Sequence, residues 1–307
     1  MNPLTRTPGT WRLRTRALEL GRRTLVMGVV NITPDSFSDG GRFIGPEDAV
    51  THALKLLDEG ADLLDLGAES TRPGSPAGGA VGTETAPAVS AEEEQARLLP
   101  VLQRILAARP DAIVSVDTYK AATARAALAA GAEIVNDVSG FLWDSGLAPV
   151  CAEFGCGVVL MHTRGRPEEW RAQPQLEPDE LLAEVRAGLS ASLSTAAAAG
   201  VGAEAIVLDP GYGFGKRFDE NYALLARQAE LLELGRPLLA GLSRKSFLGR
   251  TLAPLHGGQD APADAREAAS GAALVAAILH GASIVRVHSV RPAVEAARIA
   301  DAVLAAQ

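Results

Sequence analysis

The sequence has little that would announce covalent cross-links or a structural metal. It holds two cysteines in 307 residues, Cys151 and Cys156. Their C-x4-C spacing has no His or Cys partner nearby of the kind a zinc site needs. Two reduced thiols in a cytosolic core are the plain reading, so a cytoplasmic protein is expected. No apolar run is long enough to span a bilayer, which gives no reason to expect a membrane partner. Positive charge is also in deficit: 29 Lys and Arg stand against 37 Asp and Glu, a net −8. That balance argues against a general nucleic-acid binder, whose affinity rests on a basic footprint. Any anionic ligand must then sit in a local cationic pocket of an acidic molecule. The N-terminal stretch carries Arg6, Arg12, Arg14, Arg16, Arg22 and Arg23 but lacks the apolar core of a secretory signal. An Arg-rich transit peptide is one reading. The alternation of Trp11 and Leu13 with Arg12 and Arg14 favours the other, a short strand or hairpin before a turn at Leu20-Gly21.

What is present is a repeat of short β-branched apolar runs, polar or glycine-rich breaks, and Ala/Leu/Glu-rich stretches. Eight such runs can be counted: Leu25–Val30, Leu63–Leu66, Ile113–Val116, Ile134–Val135, Val158–Met161, Ile206–Leu208, Leu238–Ala240 and Ile284–Val287. Continuous apolar runs suit parallel strands covered on both sides. Between them, Pro46–Glu59, Ala91–Ala108, Tyr119–Ala130, Pro178–Ala199 and Asp264–His280 read as helices. Gly60, Gly131, Gly200 and Gly281 follow helical stretches as C-terminal stops should. The pattern predicts an α/β protein with a closed (β/α)8 barrel, the TIM-barrel architecture, over 24–307. Residues 1–23 form an N-terminal strand or hairpin segment. An open doubly wound sheet is the alternative.

In such a barrel the functional face lies at the C-terminal ends of the strands. There the sequence places Asn31, Asp65, Asp117, Asn136 with Asp137, His162, Asp209, Ser243-Arg244-Lys245, and Arg286 with His288. One such residue alone is most simply a turn former or helix cap. Their recurrence on all eight strands points to a polar pocket. Asp117, Asn136 and Asp209 offer acceptors and an amide for a flat heterocycle with an amino-amide edge. Arg72, Lys245, Arg286 and His288 suit an anion such as diphosphate, and Arg can stack on a ring. Asn31 could lend an oxygen to Mg2+, which takes few protein ligands beside phosphate oxygens and water.

Several stretches are long enough to carry a family resemblance. Met27 through Gly41 (MGVVNITPDSFSDGG), Gly60 through Gly74 ending ESTRPG, Asp209 through Lys216 (DPGYGFGK), Ser243-Arg244-Lys245-Ser246-Phe247 and Arg286-Val287-His288 follow in order. Together with Asp117 and Asn136-Asp137 they resemble the dihydropteroate synthases. The resemblance implies transfer of a pterinylmethyl group from a dihydropterin diphosphate to p-aminobenzoate, in folate biosynthesis, by a sulfonamide-target enzyme. It implies that Asn31 binds Mg2+, that Asp117, Asn136 and Asp209 read the pterin, and that Lys245 donates to its other side. Arg286 would stack on the pterin and, with His288 and Thr71, hold the diphosphate. Phe37, Arg72, Pro73, Phe214 and Ser246 match positions enclosing p-aminobenzoate, and Asp35 and Asp39 would steady the cation or the metal. A homodimer through the outer helices is also implied, with Ala268, Ala269, Ala272 and Ala276 permitting close packing.

The sequence departs from that pattern in three places. Residues 75–87 lengthen a Gly/Pro-rich loop, Ser289 stands where an Asp that could orient His288 is usual, and 255–262 form an extra polar linker. Lys216 reads equally as a substrate contact or a surface lysine, and Trp143 and Trp170 as packing residues. A methyltetrahydropterin-dependent methyltransferase on a similar barrel is the competing enzyme. The segment ending Asp39-Gly40-Gly41 and the Ser243–Phe247 segment count against it. A pterin-binding relative without condensing activity is the competing binder.

Overall fold

The computed structural model describes residues 8–32, 46–69 and 89–306. Within them the chain opens with an antiparallel hairpin, β1 (Gly9–Arg12) and β2 (Ala17–Leu20). Eight parallel strands follow and close on themselves: β3 (Leu25–Asn31), β4 (Leu63–Gly67), β5 (Val114–Asp117), β6 (Ile134–Asp137), β7 (Gly157–Met161), β8 (Ile206–Asp209), β9 (Leu238–Ala240) and β10 (Ala282–Val287). β10 pairs back onto β3, with Ile284 opposite Leu25 and Arg286 opposite Met27. The closed barrel expected from the sequence is therefore present, and the open sheet is not.

Around it lie α1 (Pro46–Asp58), α2 (Ala91–Ala108), α3 (Ala121–Ala129), α4 (Leu147–Phe154), α5 (Pro178–Ala199), α6 (Phe218–Arg227), α7 (Ser246–Thr251), α8 (Glu267–Leu279) and α9 (Val290–Ala305). Two boundaries differ from the sequence reading. The stretch expected as a helix from Asp264 begins as a 3-10 turn, Ala263–Arg266, before α8. The one expected from Tyr119 starts at Ala121, whose N–H is capped from a distance by Asp144 Oδ2 at 2.8 Å. Gly200 ends α5 in the left-handed conformation (φ 88°), its N–H donating to Ala196 and Ala197.

Strand residues alternate between the barrel interior and the helix layer. Leu25, Met27, Leu63, Ile113, Ile134, Val159, Val207, Leu239 and Ile284 form the interior cluster, and Trp11, Leu13 and Leu20 of the hairpin join it. The hairpin thus seals the N-terminal end of the barrel. Its own turn lies at 13–16, where Leu13 N–H donates to Arg16 O at 2.8 Å, and the expected turn at Leu20-Gly21 follows β2, with Gly21 at φ 94°. Trp11 is fully buried and donates Nε1–H to Ala205 O at 2.8 Å. Glu133 holds the turn by accepting from the Thr15 N–H and hydroxyl. The neighbouring strand residues, among them Val26, Leu64, Val116, Val135, Leu160 and Leu208, pack outward on the helices in a second and larger cluster.

Candidate active site

The two-residue period that builds the apolar floor also builds the site. Two positions beyond Leu63, Ile134, Val207 and Ile284 come Asp65, Asn136, Asp209 and Arg286, so the same inward parity delivers polar groups to the open end. Asp117 ends β5 on the inward side, beside Gly67.

Arg286 is the hub. Its Nε donates to Asp65 Oδ2 at 2.6 Å and its Nη2 to Asp117 Oδ2 at 2.7 Å. Asn136 Nδ2 donates to the same Asp65 oxygen at 2.9 Å. The guanidinium is thereby fixed from two strands, with β3 lying between β10 and β4 in the wall. Asp65 is fully buried, and its Oδ1 has no hydrogen-bond partner among the described residues. Asp65 was seen in the sequence only as a rim residue, yet it orients both Arg286 and Asn136. Burial pushes the Asp117 carboxyl up to about 7, against the pull of Arg286 and with the repulsion of Asp65.

On the far side, Asp209 is buried and accepts the Gly211 N–H on Oδ1 at 2.7 Å. Burial raises its carboxyl above the ordinary range, with that hydrogen bond and then Lys245 opposing. Lys245 lies between β9 and α7, its Nζ 4.0 Å from the centroid of the Phe214 ring. Desolvation by the surrounding protein brings its ammonium down to about 8 although Asp209 and Asp117 hold it up. Ser246 is exposed as the first residue of α7. Asn31, half-buried, ends β3 opposite Gly67. It presents a hard oxygen donor of the kind Mg2+ accepts, and no cluster of three or more His, Cys, Asp or Glu suited to a metal occurs among the described residues.

Parity also corrects the sequence reading. Asp137 follows Asn136 and therefore faces the helix layer. It is fully buried, accepting from Ser139 N–H at 2.8 Å and Phe141 N–H at 2.6 Å, and burial lifts its carboxyl to about 6. Those bonds hold Phe141 at φ 68°. His162 follows the inward Met161 and packs on Gly188 of α5, where a Cβ would lie 2.5 Å from its ring. Neither belongs to the mouth.

His288 is oriented by a residue other than the one expected. Ser243 Oγ accepts the His288 N–H at 3.2 Å and lies 3.1 Å from His288 Nδ1. One hydroxyl thus meets both the backbone N–H and a ring nitrogen of His288, which fixes the direction of the imidazole. Ser289 turns away, donating to Glu267 and accepting from Arg244 Nη2 at 3.0 Å. The Ser243 contact to His288 is therefore made without Ser289.

Lys216 is neither a substrate contact nor a surface residue. It is buried, and its Nζ donates to the carbonyls of Gly211 at 2.8 Å, His162 at 3.2 Å and Phe214 at 3.3 Å. Trp170 packs edge-on against Phe214 at 5.2 Å, and Trp143 against Tyr119 at 5.2 Å, as expected of packing residues. Asp35, Phe37, Asp39, Thr71, Arg72, Pro73 and the lengthened loop 75–87 lie outside the described residues.

The family model of pterin binding enzymes matches residues 27–288. The chain belongs to the pterin-binding enzyme family. Among relatives within that family, a dihydropteroate synthase of Mycobacterium leprae is 46% identical over 279 residues, covering 90% of this chain and 92% of its own length. A Xanthomonas albilineans dihydropteroate synthase solved with 4-aminobenzoic acid is 41% identical, covers 97% of this chain and 99% of that one, and superposes with a TM-score of 0.83. The Yersinia pestis dihydropteroate synthase in a sulfonamide drug complex is 38% identical, with 97% and 100% coverage and a TM-score of 0.84. The inward ring of Asp117, Asn136, Asp209 and Arg286 is thus the open end of a pterin-binding barrel.

Proposed function

We propose that this pterin-binding enzyme is a dihydropteroate synthase. It condenses 6-hydroxymethyl-7,8-dihydropterin diphosphate with p-aminobenzoate, giving 7,8-dihydropteroate and diphosphate. The observation that carries the reading is the Asp65–Arg286–Asp117 bridge with Asn136 and Asp209 beside it. It combines acceptors for an amino-amide edge with a flat cation fixed above them.

In this assignment Asp117, Asn136 and Asp209 bind the pterin edge and Lys245 donates to its other side. Arg286, unable to swing while two carboxylates hold it, stacks on the ring system and, with His288 and Thr71, receives the diphosphate. The bond between the pterin methylene carbon and the diphosphate oxygen breaks, and its electron pair leaves with the diphosphate. The amine nitrogen of p-aminobenzoate then supplies a pair to the methylene carbon and loses a proton. No protein nucleophile is required. The chain contributes fixed charge and position, which act most strongly where water is excluded. Phe214 and Ser246, with Phe37, Arg72 and Pro73, enclose the aryl amine, and Asp35 and Asp39 steady the developing cation. Mg2+ bound through Asn31 would supply further positive charge to the leaving group.

Two coarser properties complete the reading. A homodimer through α8 and α9 is supported by exposed Ala268 and Ala272 on one helix and exposed Ile299 and Val303 on the other. A cytoplasmic location is supported by the buried free thiols of Cys151 and Cys156. The central test is diphosphate release from the purified protein. It is expected to require dihydropterin diphosphate, p-aminobenzoate and Mg2+ together, and to fall roughly a thousandfold in Lys245→Ala. Release without p-aminobenzoate, or none with dihydropterin diphosphate bound, would reject the reaction.

A further inference from the structure

Lys216 stands outside the roles just assigned, yet it is among the most constrained side chains near the mouth. An ammonium has three protons to donate. Here all three directions are taken by main-chain carbonyls, one from the end of β7 (His162) and two from the loop after β8 (Gly211 and Phe214). No donor is left for a ligand, so its effect must pass through what it holds. The loop lies flat on the end of β7: a Cβ on Gly211 would stand 1.9 Å from His162 O. Phe214, at the loop's tip, is gripped through its carbonyl by Lys216 and along its ring edge by Trp170. The ring in turn faces the Lys245 ammonium at 4.0 Å. Around Lys216 stand Asp209 on β8, His162 and Arg164 beyond β7, Lys245 beyond β9 and Glu184 on α5. Of these, Asp209 offers the largest compensating charge, and the proposed assignment already gives it to the pterin side.

We infer that Lys216 is a positioning residue, whose buried ammonium ties the β8 loop to the end of β7 and so fixes Phe214 at the boundary between the pterin and p-aminobenzoate halves of the site. The inference rests on the assignment of Phe214 to the aryl amine. Removing the ammonium frees three carbonyls and lets the ring drift, while Asp117, Asn136 and Asp209 stay on their strands.

The test is steady-state kinetics of the full-length protein carrying Lys216→Met, Phe214→Leu or both, with thermal melting as a check of folding. Lys216→Met is expected to raise KM for p-aminobenzoate about tenfold, with KM for dihydropterin diphosphate within about twofold of the native value. Phe214→Leu should reproduce that split, and the double variant should be no worse than the poorer single, because both remove one linked interaction. Lys216→Arg, which keeps charge and multiple donors, should recover part of the loss. Equal rises in both KM values, or multiplying effects in the double variant, would overturn the positioning role. So would Phe214→Leu with an unchanged KM, a result that holds even if Lys216→Met does not fold. A native protein that consumes no p-aminobenzoate sinks the proposed reaction itself, and is seen before any variant is made.

Discussion

Arg286 on β10 donates Nε–H to Asp65 on β4 at 2.6 Å, reaching across β3 to a carboxylate that is fully buried. Asp65 therefore orients a cation that faces the mouth from a position no ligand in the mouth would touch directly. Asp65→Asn keeps the shape and removes the charge. We expect kcat/KM for dihydropterin diphosphate to fall roughly a hundredfold as Arg286 loses its fixed direction. Circular dichroism should report an intact fold, and a loss smaller than about twofold would reject the orienting role.

Lys245 gives a pH dependence with a definite sign. Burial brings its ammonium from the ordinary 10.5 down to about 8, so the side chain is charged below that value and neutral above it. Binding of an anionic substrate should weaken as pH rises through about 8. In the kcat/KM profile for dihydropterin diphosphate this appears as an alkaline decline. Lys245→Arg, which stays charged, should flatten that decline even if its overall rate is lower.

Ser243 and Ser289 can be told apart directly. Ser243→Ala removes the hydroxyl that meets both His288 N–H and Nδ1, and is expected to lower kcat roughly tenfold with little change in melting temperature. Ser289→Asp should leave kcat unchanged, since Ser289 faces Glu267 and Arg244. The opposite ranking of the two variants would restore the role expected for position 289.

Trp11→Ala tests the hairpin. The side chain is fully buried in the barrel floor and its indole N–H is bonded to Ala205 O. Truncation should cost about 3–5 kcal/mol in urea unfolding. At temperatures where the variant stays folded, both KM values should hold, because the floor lies at the end of the barrel opposite the mouth.

A charge at Ala272, exposed on α8, should separate the proposed dimer. Ala272→Arg is expected to halve the mass seen by light scattering at micromolar concentration. A native protein already monomeric there would remove the dimer from the reading.

The strands were legible because burial on both faces forces unbroken β-branched runs, and the helix stops because glycine tolerates the left-handed backbone. Asp117, Asn136, Asp209, Lys245, Arg286 and His288 could be named as rim residues from their places after those runs. Which of two consecutive residues faces inward could not be read without the register of the closed barrel. Asp137 and His162 were therefore placed at the mouth, though both lie in the helix layer. Asp65 and Lys216 were undervalued for a related reason: Asp65 meets side chains of other strands, and Lys216 joins its own loop to a carbonyl at the end of β7. Ser243 and His288 meet because β9 pairs with β10, a neighbourhood that their separation along the chain conceals.

The sealed floor has a kinetic meaning. A barrel plugged by Trp11, Leu13 and Leu20 is a cup and not a tunnel, so every molecule arrives and departs through one opening. In the proposed assignment the groups for the pterin stand on strand ends, while Phe214 lies on the loop after β8 and Ser246 opens α7, both nearer the lip. Whatever occupies the shallow half blocks passage to the deep half. On the proposed assignment, the bicyclic partner is therefore expected to be seated before the aryl amine.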